Sequence, residues 1–413
     1  MRRITLALVC LVAFAVPCES ALVLPGVGTL ARVLGILAAL CGVTTVIASG
    51  HMRRPGMLFW LMTAFLSWSV LTLFWSVDPG LGLPNTPDAF PHGTWPRIAT
   101  YAQLWFLAWL IWEFAPTTQA VQLLLQSYVL GAYVTAAATI VASRTGALAA
   151  ERATSFGFDA NDLGVTLALG IPMAWQLMLR QRGWLKRWLN AAYVPAATIT
   201  VFLTASRGAF LATVVAASIV LWSVANLSLR AKLRTLVLVV AAAGVAYLIV
   251  PQSSWDRLAA GRQEITSGTL DYRLIIWREG AQQFLTRPFV GAGAGAFGTT
   301  VEQALGRPYV AHNTYLGILV EEGLVGFAIF ATICGVVLAQ LRRLPSWERR
   351  LCVILCLTWA VGAASLSWDH RKPTWLVLGL VAAQLGAATG AGSKRRASPS
   401  RRPLVGEAAH TDA

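Results

Sequence analysis

The sequence predicts an all-α integral membrane protein with about 12 transmembrane helices. Three observations carry that reading. Hydrophobic residues make up 56% of the chain and charged residues only 12%, whereas soluble domains carry about a quarter charged residues. The mean hydropathy is +0.62. Apolar runs close to bilayer length recur from one end to the other. Together they exclude a water-filled cleft between soluble domains.

The runs fall at 4–18, 29–49, 57–77, 98–115, 120–142, 161–179, 189–205, 209–226, 235–250, 313–341 (interrupted near its start), 351–368 and 374–391. Arg2-Arg3 before the first run resembles a secretory signal, but Pro17-Cys18-Glu19 is a poor small-residue cleavage site. The first run is therefore expected to remain as a span. With the N-terminus in the cytoplasm, 20 of the 33 Lys and Arg residues lie inside, against four of the 18 Asp and Glu. Every inside loop except 116–119 is then basic, as the positive-inside rule requires. The pI near 10.3 follows from topology, and no nucleic-acid partner is implied.

Residues 1–392 read as one polytopic membrane domain. Residues 393–413, rich in Ser, Pro, Arg and Lys, read as a disordered basic cytoplasmic tail drawn to the anionic inner leaflet. The six cysteines have neither ligand spacing nor a loop framework for disulfides. They read as small core or lipid-facing residues.

The outside segment 251–312 is far longer than its neighbours, and loops of that length usually carry function. From Asp271 to Leu285 its periodicity predicts a helix with Leu274, Trp277, Ala281 and Phe284 on one face. Pro288 and the glycines Gly291, Gly293 and Gly295 end it.

Arginine far outnumbers lysine among the outside basic residues, where Lys372 stands alone. Arginine keeps its charge when desolvated and grips phosphate through two parallel hydrogen bonds. The same bias inside means that composition alone fits either a diphosphate partner or codon usage. Position narrows the choice. Thr204-Ala205-Ser206-Arg207-Gly208 joins two apolar runs by a very short outer turn, which holds Arg207 at the membrane surface, as a ligand for a headgroup or as a snorkelling anchor. His312 is the one histidine of the long segment and sits where the chain re-enters the membrane. Its imidazole could take a proton from an attacking hydroxyl, or be a plain interfacial residue. Glu321 and Glu322 follow nearly three helical turns later, roughly 15 Å away, too far to share a metal with His312 unless the helix breaks. Gly293-Ala-Gly295-Ala-Phe-Gly298 matches a dinucleotide fingerprint but lacks the strand–helix setting, so close packing is the better reading. There is no Ser-His-Asp order, no Walker lysine and no Asp-x-Asp, so neither a metal nor a cofactor is expected.

Four segments stand in order between these spans: Arg152-Ala-Thr-Ser-Phe-Gly-Phe-Asp-Ala-Asn161, Ser206-Arg207-Gly208, Arg273-Leu-Ile-Ile-Trp277 running to Pro288-Phe-Val-Gly-Ala-Gly293, and His312-Asn313-Thr-Tyr-Leu316 running to Glu322-Gly-Leu-Val-Gly326. Together they resemble the bacterial O-antigen ligase and polysaccharide polymerase superfamily. They cover about residues 150–330. The resemblance implies a metal-independent, inverting glycosyltransferase of the bacterial inner membrane, with its site on the periplasmic side. Its donor would be a glycan on undecaprenyl diphosphate, and its acceptor a growing glycan or lipid A–core. His312 takes the position of the family's catalytic histidine, and Arg207 and Arg273 those of its diphosphate-binding arginines. Arg152, Asn161, Asn313 and Glu322 are further candidates for substrate contact. The runner-up is a twelve-span transporter of a polysaccharide precursor, which would be expected to show a repeat and midplane charges. No repeat is visible.

Overall fold

The computed structural model describes residues 1–19, 23–24, 28–80, 93–144, 159–224, 228–257, 259 and 272–397. Arg152 and residues 398–413 of the predicted tail lie outside the described residues, whereas 393–397, predicted as the start of that tail, continue the last helix. Helix α1 (Arg2–Ala15) leads through a two-residue antiparallel ribbon, β1 (Val23–Leu24) against β2 (Gly28–Thr29), into α2 (Leu30–Ser49). Then come α3 (Met57–Leu71) with a 3-10 turn at Thr72–Phe74, α4 (Thr94–Phe114), α5 (Thr118–Arg144), α6 (Ala160–Arg180) and α7 (Trp184–Leu203). After α8 (Arg207–Val224) and α9 (Leu229–Ile249), two shorter helices, α10 (Arg273–Thr286) and α11 (Phe297–Leu305), lie within the long segment 251–312. The chain ends in α12 (Thr314–Leu341), α13 (Ser346–Ala363) and α14 (Lys372–Ala397).

A helix lies on each predicted run. Among the described residues, six helical segments are long and apolar enough to cross a membrane: α2, α3 with its 3-10 turn, α5, α6, α8 and α12. Helix α6 is the axis of the bundle, packed by α5, α7, α8 and α13 and buried almost throughout. Small residues let the backbones approach, as expected where apolar helices meet in lipid. A Cβ on Gly170 would lie 2.3 Å from the Tyr193 hydroxyl, and one on Gly164 2.4 Å from the Ala209 Cβ.

Helix α12 is broken at Gly323, whose φ of 67° and ψ of −171° are not helical. The break strips carbonyls and amides of their helical partners, and the glycine-rich segment after α10 replaces them. Ala292 N donates to Val320 O and Gly293 N to Glu321 O, both at 2.9 Å. Leu324 N donates to Pro288 O at 2.8 Å and Val325 N to Phe289 O at 3.2 Å. These glycines therefore serve backbone contact. Gly291 needs a φ of 73°, and a Cβ there would sit 2.3 Å from Glu321 O. Gly291→Ala should destabilise the protein by more than about 2 kcal/mol. That should appear as a lowered Tm in detergent, beside a neutral Gly35→Ala whose Cβ meets nothing within 4 Å. Equal melting temperatures would mean that the stitched backbone yields.

The predicted face of α10 needs correction. Ile276 and Gly280 are its buried residues, Trp277 and Phe284 are half-buried beside them, and Ala281 is exposed. The face turns because Gly280 lets the Phe297 ring come within 2.9 Å of where a Cβ would stand. Ile276, Phe297, Val301, Ala311 and Val320 close a small second core under the long segment.

Candidate active site

Four pieces of chain converge at one end of the bundle: the starts of α6, α8 and α12, and the 364–371 turn. Asp159 caps α6, its carboxylate accepting from Asn161 N at 2.8 Å and Asp162 N at 3.3 Å. Asn161, buried, accepts a 2.6 Å bond from Ser206 Oγ. Ser206 Oγ in turn accepts from Ala209 N at 3.2 Å, capping α8. The Ser206-Arg207-Gly208 string thus has a local explanation. Ser206 caps, Arg207 opens the helix, and a Cβ at Gly208 would lie 2.3 Å from Ser365 Oγ. Asp162 accepts from Trp368 Nε1 at 2.6 Å and pairs with Arg371 at 3.2 Å. Thr314 ties the start of α12 to the same turn, donating to Leu366 O at 2.6 Å and accepting from Trp368 N at 2.8 Å.

Arg273 opens α10, and Trp277 one turn on donates to Ala311 O at 2.8 Å. That bond fixes α10 against the residue before His312. His312 is half-buried. Burial lowers its pKa first and the charge of Arg273 second, while Asp159 and Asp162 oppose them. The imidazole is therefore neutral at neutral pH and able to accept a proton.

Among the described residues, the non-glycine positions with positive φ are Ala205 (49°), Tyr272 (68°) and His312 (47°). One is two residues before Arg207, one directly before Arg273, and one is the histidine itself. Left-handed backbone at such residues costs on the order of 1–3 kcal/mol and gathers at functional sites. The strain marks the same three motifs that the sequence singled out.

The other candidates divide. Asn161 lies in the convergence. Asn313 caps α12, accepting from Tyr315 N at 3.0 Å and Leu316 N at 3.1 Å. Glu322 is fully buried and takes a 2.7 Å bond from Ser69 Oγ, while Trp68 Nε1 donates to its carbonyl. It braces the broken helix against α3.

Sequence reasoning missed a buried charged network beside this end. Arg97 Nη1 donates to Asp369 Oδ2 at 2.8 Å, to His370 Nδ1 at 2.9 Å and to Glu321 Oε2 at 3.3 Å. Tyr101 Oη adds a 2.7 Å bond to Asp369, and Gly295 N donates to Glu321 Oε2 at 2.8 Å. Burial and the Arg97 charge push the His370 pKa down to about 4 against the pull of Asp369. An Asp-His pair in the turn between the last two apolar runs, beside Arg371 and Lys372, was the available signal. Among the described residues no group of three His, Cys, Asp or Glu side chains could hold a metal ion.

An apolar helical bundle that gathers an imidazole and arginines at one end defines a polytopic membrane protein with a polar site on one face. Residues 191–331 match the Wzy_C family model, described as O-antigen ligase, so over this stretch the chain is similar to that family. The matched stretch contains Arg207, Arg273 and His312. The family points to membrane glycosyltransferase-type activity in O-antigen ligation or polymerisation. No curated protein matches the chain.

Proposed function

We propose that the protein transfers a glycan from undecaprenyl diphosphate to a sugar hydroxyl of a growing glycan or of lipid A–core, at the periplasmic face of the bacterial inner membrane. The observation that carries this reading is the coincidence of strained backbone with Arg207, Arg273 and His312 inside the family-matched stretch. His312 takes the proton of the attacking hydroxyl. Asp159 and Asp162 then stabilise the imidazolium that forms. Arg207 and Arg273 hold the departing diphosphate, each as the first residue of a helix, whose N-terminal dipole also favours an anion. Attack opposite the leaving group inverts the anomeric centre, and the diphosphate ester supplies the driving force.

Purified protein in detergent should move glycan from a polyprenyl-diphosphate donor to an acceptor without a sealed compartment. No transfer in detergent, with flux of donor across sealed vesicles, would favour the transporter instead.

In this reading all twelve predicted runs cross the bilayer. The partition of ionic contacts supports it. Arg2 pairs with Glu113 at 2.9 Å, and Arg180 pairs with Glu348, all of them predicted inside. Arg371 with Asp162 and Lys372 with Glu19 are all predicted outside. Both Ala281 and Arg182 are exposed, and no native cysteine among the described residues is. Ala281→Cys should react with an impermeant thiol reagent on intact spheroplasts, and Arg182→Cys only after lysis. The reverse pattern would invert the topology.

A further inference from the structure

A groove of about 420 Å³ opens between α2 and α4 and meets the proposed active end only at the 364–371 turn, through His370 and Arg371. Its size falls within the roughly 300–1,000 Å³ of ligand sites. The two ends differ in chemistry. Along its length the walls are apolar, with Ile36 and Leu40 from α2 facing Leu107 and Leu110 from α4. At one end stand Arg32, Arg371 and Lys372, with Glu19, Gln103 and His370 beside them. Lys372 pairs with Glu19 and Arg371 with Asp162. Arg32 makes no ion pair with any described residue and is exposed. The mouth therefore carries cationic charge that its own carboxylates do not fully answer. Gly35 lines the groove, and no atom lies within 4 Å of where its Cβ would stand.

We propose that this groove binds an anionic phospholipid, its acyl chain lying between α2 and α4 and its phosphate on Arg32, Arg371 and Lys372. An apolar slot ending in cations at the level where a span meets the outer segments matches the amphipathic shape and charge of that ligand. A free anion would have no use for the apolar walls, and a neutral lipid none for the cations. The site needs no catalytic residue and does not rest on the proposed transfer reaction.

The test is lipid retention by the full-length protein in neutral detergent, read by native mass spectrometry during titration. Phosphatidylglycerol should be retained in preference to phosphatidylcholine. Each basic residue near an anionic group is worth about five-fold, so R32Q with K372Q should lower phosphatidylglycerol affinity by more than about ten-fold. Gly35→Phe fills the open slot and should weaken both lipids while leaving the cations in place. Arg32 is exposed, so R32Q alone keeps the proposal testable if bulk at position 35 disturbs α2. Unchanged retention in R32Q with K372Q would overturn the proposal, as would a folded Gly35→Phe that binds normally. So would displacement by millimolar inorganic phosphate, which would mean an anion site alone. Displacement by polyprenyl phosphate at equal concentration would assign the groove to the sugar carrier and also overturn it.

Discussion

Arg207→Ala and Arg273→Ala, made singly, should each slow glycan transfer by about 10²–10³-fold, the usual cost of losing one donor to a charge that grows in the transition state. The double variant should lose less than the two singles together predict, because two groups acting on one diphosphate are coupled. Arg207→Lys should not restore the rate. An ammonium keeps the charge but gives up the planar pair of hydrogen bonds. EDTA should leave the wild type untouched, since the sequence carries no Asp-x-Asp to hold a metal on the diphosphate. The assay is transfer from a synthetic polyprenyl diphosphate donor, read by gel shift. Strict additivity, full rescue by lysine or extinction by EDTA would each remove the arginine clamp, and Arg207 would revert to an interfacial anchor.

His312→Ala should cost about 10²–10⁴-fold in the same assay, the range for a positioned general base. The variant should still insert and still bind the lipid diphosphate. Retention of more than about a tenth of the rate would contradict a base of that strength. The pH profile gives a second readout. Burial and Arg273 hold the His312 pKa below the ordinary 6.5. The imidazole therefore stays unprotonated as the pH falls through 6.5, and kcat/KM should decline only below that value. Arg273→Gln removes the like charge but not the burial. Its residual activity should show the acid limb moved upward, toward 6.5. A limb that stays in place would mean that Arg273 does not bear on the imidazole.

The helices were legible because bilayer-length apolar runs are among the strongest signals a sequence carries. Arg207 and His312 were legible for a related reason. A charge or an imidazole beside an apolar run is conspicuous, and its place in the run fixes its place at the surface. What stayed hidden depended on distant partners. Arg97 meets Asp369 and Glu321 from 272 and 224 residues away, and no local pattern encodes that meeting. Asn313 and Asn161 looked alike as polar residues in family motifs. Only the hydrogen bonds separate a helix cap from a side chain that joins the starts of two helices. The face of α10 was misread because Gly280 scores as nothing in an apolar pattern, yet its missing side chain is what admits Phe297.

The broken α12 also sets an order for biogenesis. Segment 288–293 leaves the ribosome before residues 320–325, yet its amides and carbonyls bond to that later stretch. Each backbone group left unsatisfied in hydrocarbon costs several kcal/mol. The earlier segment must therefore wait in water, or in the shelter of the translocon, until the later one is synthesised. Both then settle together. A nascent chain halted just after His312 would hold every helix up to α11 and still have no assembled site. Maturation of this end of the bundle is thus a late event, completed only when both halves of α12 are in place.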